Sequence, residues 1–144
     1  MTLLRLTYVS TAARDLSPDE TTDLVARAQH RNKGLSVTGI LLFNGLNFLQ
    51  TLEGGEPAVI DLMRSIAADD RHTGIVVIHR HGISERAFKD WSLGFSRTRV
   101  GRALTAGGGA SAGNGLSEHH LPADLPEPLV RLYRSFETVS RGTA

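Results

Sequence analysis

The stretch NKGLSVTGILLFNGLNFLQTLEG, residues 32–54, decides the fold. It starts at the end of a polar helical segment, continues as an apolar strand from Val37 to Phe43, and turns at Asn44-Gly45, a strong two-residue hairpin signal. The return strand, Phe48 to Glu53, carries Gln50 among apolar neighbours. Side chains alternate faces along a strand, so Phe48, Gln50 and Leu52 share one side and Asn47, Leu49 and Thr51 the other. A primary amide on an inward-looking face needs partners, because an unsatisfied buried polar group costs roughly 1–3 kcal/mol. Gln50 therefore marks a place where the protein or a bound ligand must supply polar groups.

Upstream, Leu4, Leu6 and Tyr8 alternate with Arg5, Thr7 and Val9, which predicts a first strand over residues 2–10 with Tyr8 on its apolar face. Ser17-Pro18-Asp19-Glu20 is a helix start, with Ser at the N-cap, Pro at the first position and Glu at the third. That helix should run to about Asn32 and stop at a left-handed Gly34. Its apolar side is Leu24, Val25 and Ala28, with Asn32 roughly on the same side. Downstream, Pro57 opens a second helix whose Val59, Leu62, Met63 and Ile66 repeat at helical spacing. Ile75 to His79 reads as a fourth strand and Trp91 to Phe95 as a fifth. The order β-α-β-β-α-β-β predicts an α+β, ferredoxin-like sheet with two helices on one face.

Composition changes after Thr98. Residues 101–115 hold six Gly and no aromatic residue, as a flexible linker does. Leu129, Leu132, Tyr133, Phe136 and Val139 then outline an amphipathic helix. It is too short to be stable alone and is expected to dock on the other face of the sheet. The chain thus divides into a domain over 1–98 and a linker with a helical extension over 99–144. No internal repeat is visible.

A chain of 144 residues, 40% hydrophobic and 22% charged, suits one soluble globular domain. A formal net charge of +1 gives no bulk electrostatic case for nucleic acid or membrane partners. There is no cysteine, which excludes disulfides, thiolate metal sites and cysteine nucleophiles. No apolar run reaches the roughly 18–20 residues of a membrane span, and the N-terminus is too polar for a signal peptide. A cytoplasmic location is the expectation. Fourteen of the 16 basic residues are Arg, which is attributed to genome composition.

The six histidines, including His79-x-His81 and His119-His120, match no strong zinc spacing and are taken as surface residues. No metal is expected. Asp69-Asp70-Arg71-His72 has the composition of a solvated loop, although its Arg fork could grip the phosphate or ribityl part of a nucleotide-like ligand. Motifs of serine hydrolases, P-loops, dinucleotide folds and zincins are absent. A sharper set is Tyr8, Asn32, Gln50 and Trp91. Each alone is ordinarily structural. Together, a phenol and two amides on inward faces can form a donor–acceptor network around one planar polar ligand. An amide that flips or tautomerises exchanges its donor and acceptor ends, which makes it a two-state element.

The runs Leu6 to Ser10, Arg31-Asn32, Gly34 to Leu41, Phe48 to Gly54, Asp69 to His72 and Trp91 to Phe95 together resemble the BLUF domain, a family of flavin-based blue-light sensors. The resemblance covers about residues 2–98. It implies a flavin, usually FAD with FMN possible, held between the two helices with its ring edge facing Asn32 and Gln50. It further implies that Tyr8 bonds Gln50, that blue light drives electron and proton transfer from Tyr8, and that rearranged Gln50 hydrogen bonds give a small reversible red shift. Ile66 is expected against the ring, Arg71 and His72 towards the flavin tail, and Arg31 beside the pocket. Trp91 and Leu93 are the expected signal-coupling positions. Leu93 stands where the family often has Met, a volume-conserving change that removes a polarisable thioether. Arg31 replaces a His or Asn often found there.

The expectation is a non-enzymatic photoreceptor, the length leaving no room for an output domain, that signals through its C-terminal helix to a partner or through its own oligomeric assembly. Two alternatives stand beside it. One is an acylphosphatase-like hydrolase on the same topology, for which Thr11-Ala12-Ala13-Arg14 is a poor anion cradle. The other is a flavin-free protein-interaction module.

Overall fold

In the computed structural model the chain is described for residues 2–89, 94–97, 105–106 and 125–142, the side chains of 94–97, 105–106 and 137–142 excepted. The element order is β1 (Leu3–Ala12), α1 (Pro18–Gly34), β2 (Thr38–Phe43), β3 (Asn47–Gly55), α2 (Glu56–Ala68), β4 (His72–Ile83), β5 (Gly94–Arg97), β6 (Thr105–Ala106) and α3 (Glu127–Gly142). The strands form one sheet in the order β4-β1-β3-β2-β5-β6. Pairing is antiparallel except between β2 and β5, which run parallel.

The sequence signals produce the elements locally. Ser17 Oγ accepts from Glu20 N at 3.1 Å and Glu20 Oε1 accepts from Ser17 N at 3.1 Å, a reciprocal cap that satisfies two donors at the start of α1. The left-handed residue after α1 is Ser36, with φ 56°; Gly34 remains helical. In the hairpin the corner falls one residue later than the Asn44-Gly45 dipeptide suggests. Asn44 N donates to Asn47 O at 3.2 Å, and Asn44 Oδ1 accepts from Leu46 N and Asn47 N, so Gly45 (φ 94°) and Leu46 make the turn. A side chain that bonds backbone two and three residues ahead initiates a turn rather than occupying its centre.

Three clusters build the core. Leu4, Leu6, Leu52 and Val37 pack with Val59, Leu62 and Ile66 of α2. Leu41, Phe43 and Phe48 pack with Val25 and Ala28 of α1. On the reverse face, Ile40, Leu42, Leu49 and Phe88 pack with Leu125, Leu129 and Tyr133, so the C-terminal helix docks where its amphipathic pattern requires.

The edges of the sheet depart from the expectations. β4 spans His72–Ile83, far beyond Ile75 to His79, because it follows the backbone ladder of β1 through two register shifts, although its side chains are largely exposed. β5 begins at Gly94, and Trp91 and Leu93 lie outside the described residues. Within the Gly-rich segment, Thr105–Ala106 pairs with β5 as a short strand. Among the described residues, no helix is long and apolar enough to cross a membrane.

Candidate functional site

The two central strands place Tyr8 and Gln50 directly opposite each other. Both are buried, and the Tyr8 hydroxyl donates to Gln50 Oε1 at 2.5 Å. That leaves the Nε2 hydrogens of Gln50 for other acceptors. Burial pushes the Tyr8 phenol well above its ordinary pKa, the Arg31 charge opposing and the Asp69 carboxylate adding to the effect. The phenol is therefore held protonated, as a donor.

Tyr8 and Gln50 stand at the wall of a narrow cleft between α1 and α2. One wall is α1, through Leu24, Ala28 and Arg31 at successive turns; the other is α2, through Ile66. Phe48 and Leu41 supply apolar floor, and Asp69, Arg71 and His72 close the end. Arg31 is half buried, its burial lowering the guanidinium pKa, and its Nε has no hydrogen-bond partner among the described residues. A slot with a half-buried cationic donor, an amide and a phenol along its apolar walls offers hydrogen bonds to a planar polar ligand.

At the closed end, Arg71 forms a two-pronged pair with Asp69 at 2.6–3.1 Å, which holds that carboxyl below its usual range. His72 is held at both ring nitrogens: Nε2 donates to Ile66 O at 2.9 Å and Nδ1 accepts from Ser10 Oγ at 3.0 Å. Burial lowers its pKa, so the neutral ring fits those roles. His72 is thus a half-buried bridge between α2 and β1, not the surface residue its composition class suggested. The segment before it is not a free loop either.

Of the expected cofactor residues, Tyr8, Gln50, Arg31, Ile66, Arg71 and His72 come together in the cleft. Asn32 is fully buried at the end of α1, its carbonyl accepting from Val37 N at 2.9 Å, and is not among the cleft-lining residues. Leu41, Phe48 and Asp69 also line the cleft, and sequence reasoning had not assigned them there. Phe48 was legible as sharing the face of Gln50; the other two needed the third dimension. Among the described residues no cluster of three His, Asp or Glu side chains could hold a metal. Arg14, the cation an acylphosphatase-like site would need, is exposed and paired with Glu20 at 2.6 Å.

Fold and cleft together define a small α+β domain with a slot of mixed polarity between its two helices, and comparison with known proteins gives its family. The family model described as "Sensors of blue-light using FAD" matches residues 3–94. The photoactivated adenylate cyclase subunit beta of Euglena longa is 45% identical over 94 residues, covering 64% of this chain and 11% of that protein. The blue light- and temperature-regulated antirepressor BluF of Escherichia coli is 43% identical over 74 residues, 51% of this chain and 18% of that protein. The dark-state structure of BlrB, a BLUF protein, superposes with a TM-score of 0.61 at 41% identity, covering 65% of this chain and 71% of that one. Klebsiella pneumoniae BlrP1, in a manganese and cyclic diGMP complex, gives a TM-score of 0.75 at 31% identity over 94% of this chain and 33% of that one. This chain belongs to the BLUF family of flavin-binding blue-light sensors. It spans about a tenth of the length of the photoactivated cyclase subunits that it matches.

Proposed function

We propose that this chain is a non-catalytic light-sensing module in which Tyr8 donates the electron and proton and Gln50 is the amide that records the event. The observation that carries this is the 2.5 Å bond from the Tyr8 hydroxyl to Gln50 Oε1 at the cleft wall. The flavin, when bound, supplies blue-light absorption and an excited state that accepts an electron and a proton. Tyr8 holds its proton until then, because burial strongly disfavours the bare phenolate. Gln50 is bonded to the phenol and lines the cleft beside it, so it can carry the proton across, its carbonyl oxygen accepting while its NH₂ donates. When the electron and proton return to Tyr8, an amide left inverted would present different hydrogen bonds to the cofactor, which is a stored state. Ile66 and Phe48 exclude water and Arg31 faces the cleft as a cationic donor. Asn32, buried beside Arg31, is assigned to the ring carbonyl and imide, and Arg71 and His72 to the side nearer the tail.

The relatives named as cyclase subunits join such a domain to an enzyme. For this chain we place the output in a partner protein or in its own assembly, reached through α3. The hydrolase alternative lacks support, since Arg14 is engaged with Glu20 on the surface.

The test is an absorption spectrum of the purified, flavin-loaded protein before and after blue light, followed in the dark, for wild type and Tyr8→Phe. Wild type should show a small red shift that reverses in the dark. Tyr8→Phe should retain flavin and lose the shift. A normal photocycle in Tyr8→Phe would exclude Tyr8 as the donor.

A further inference from the structure

The chain neighbours of the photoactive pair form a second pair on the opposite face of the sheet. Thr7 and Thr51 are cross-strand partners, one register step from Tyr8 and Gln50, and side chains alternate faces along β1 and β3. Both threonines are fully buried, and their hydroxyls lie 2.7 Å apart. The Thr51 hydroxyl is also hydrogen-bonded to the hydroxyl of Tyr133, a fully buried residue of α3. Around these three hydroxyls Leu42, Leu49 and Leu129 pack between α3 and the sheet, and the buried Arg5–Glu53 pair lies two residues further along the same face of β1 and β3. A buried polar group of this kind is costly to leave half-made, so changes in its geometry bear on helix docking.

We propose that Tyr133 is the positioning residue through which α3 reads the state of the Tyr8–Gln50 pair. This rests on the light-sensing role proposed above. In the resting arrangement the phenol of Tyr8 donates to Gln50 Oε1 across 2.5 Å. Inversion of the amide turns NH₂ towards the phenol, whose oxygen then accepts, and the contact relaxes to an N–H···O distance of about 2.9 Å. The added separation falls between β1 and β3 at one register position. Thr7 and Thr51 occupy the next position on the same two strands, so the same change is felt between their hydroxyls. Thr51 can donate to one of Thr7 and Tyr133 and accept from the other, so both bonds depend on where its single hydroxyl sits. When the pair is strained, the Thr51–Tyr133 bond is the one that yields, because α3 is held by side-chain packing whereas β1 and β3 are held by a backbone ladder. The signal leaves as a loosened α3.

The experiment is hydrogen–deuterium exchange at the α3 amides of the full-length, FAD-loaded chain, in the dark and under blue light, with the red shift recorded in parallel. Wild type should show the red shift and faster exchange at Leu129 to Phe136 in the light. Tyr133→Phe should keep the red shift but exchange about fivefold faster than wild type in the dark, with no further increase in the light. Thr51→Val should behave the same, and Thr51→Ser, which restores the hydroxyl, should recover the light-dark difference. A merely structural bond would shift dark and light exchange together and leave their difference intact, so an unchanged difference in Tyr133→Phe overturns the proposal. So does a wild-type red shift with no change at α3. If wild type shows no red shift at all, the light-sensing role falls and this proposal with it. Should Tyr133→Phe fail to fold, the Thr51→Val and Thr51→Ser pair decides alone.

Discussion

At the scale of single residues, the site is a set of polar groups whose protonation is set by burial. Tyr8 stays protonated for that reason, and His72 stays neutral for the same one. The sign for His72 follows from its pKa falling below the ordinary 6.5 on folding. The unfolded chain then binds the proton more tightly, so the contribution of the neutral ring is fully present above about pH 6.5 and is lost as pH drops through the depressed value. Burial lowers His79 as well, with the His81 and Arg5 charges adding to it, and sets a second contribution of the same sign. Melting temperature should therefore fall between pH 7.5 and 5.5, and His72→Gln should flatten part of that slope. Identical slopes in the two proteins would show that folding does not lower the His72 pKa. The residues with these roles were only partly visible beforehand. Gln50 stood out as a polar group in an apolar run, whereas the bonds of His72 to Ser10 and Ile66 join positions that no local pattern connects.

At the scale of elements, the β2–β3 hairpin sets the geometry on which both faces depend, and Gly39 is its tightest point. A Cβ placed there would sit 1.9 Å from the Thr51 carbonyl oxygen, a backbone atom that cannot swing away. Gly39→Ala should therefore cost at least about 2 kcal/mol in urea unfolding. Gly34→Ala, where a Cβ meets nothing within 4 Å in a helical position, should be neutral or stabilising by up to about 1 kcal/mol. Equal effects at the two glycines would contradict the close strand approach. The helices and the hairpin were legible because caps, periodicity and turn residues act within a few positions. The length of β4 was not, since exposed side chains leave no alternation and only the ladder with β1 extends the strand.

For the molecule as a whole, a buried ion pair joins parts that the core clusters leave separate. Arg5 Nε donates to Glu53 Oε2 at 2.7 Å, and Phe88 N donates to Glu53 Oε1 at 2.8 Å. Glu53 thereby ties β1, β3 and the segment after β4 together, while Arg86 reaches the Glu53 carbonyl at 3.0 Å. Removing one partner strands a buried charge, so Glu53→Gln should lose about 3–5 kcal/mol in urea unfolding. The exposed Arg131–Glu127 pair, at 2.9 Å on the surface of α3, should contribute under about 1 kcal/mol by the same measurement. A loss below about 1 kcal/mol for Glu53→Gln would mean that water reaches Arg5. Before the structure, Glu53 was only the last residue of a strand. The amino-acid order alone determined which faces Tyr8, Gln50 and Thr51 take and where the helices begin, because alternation and capping are properties of neighbouring residues. Tertiary structure decided that Tyr8 faces Gln50, that Thr51 meets Tyr133 across 82 positions, and that Glu53 finds Arg5. Those choices belong to strand register and helix docking, where each polar group bonds whatever distant segment the packing of the apolar faces brings within reach.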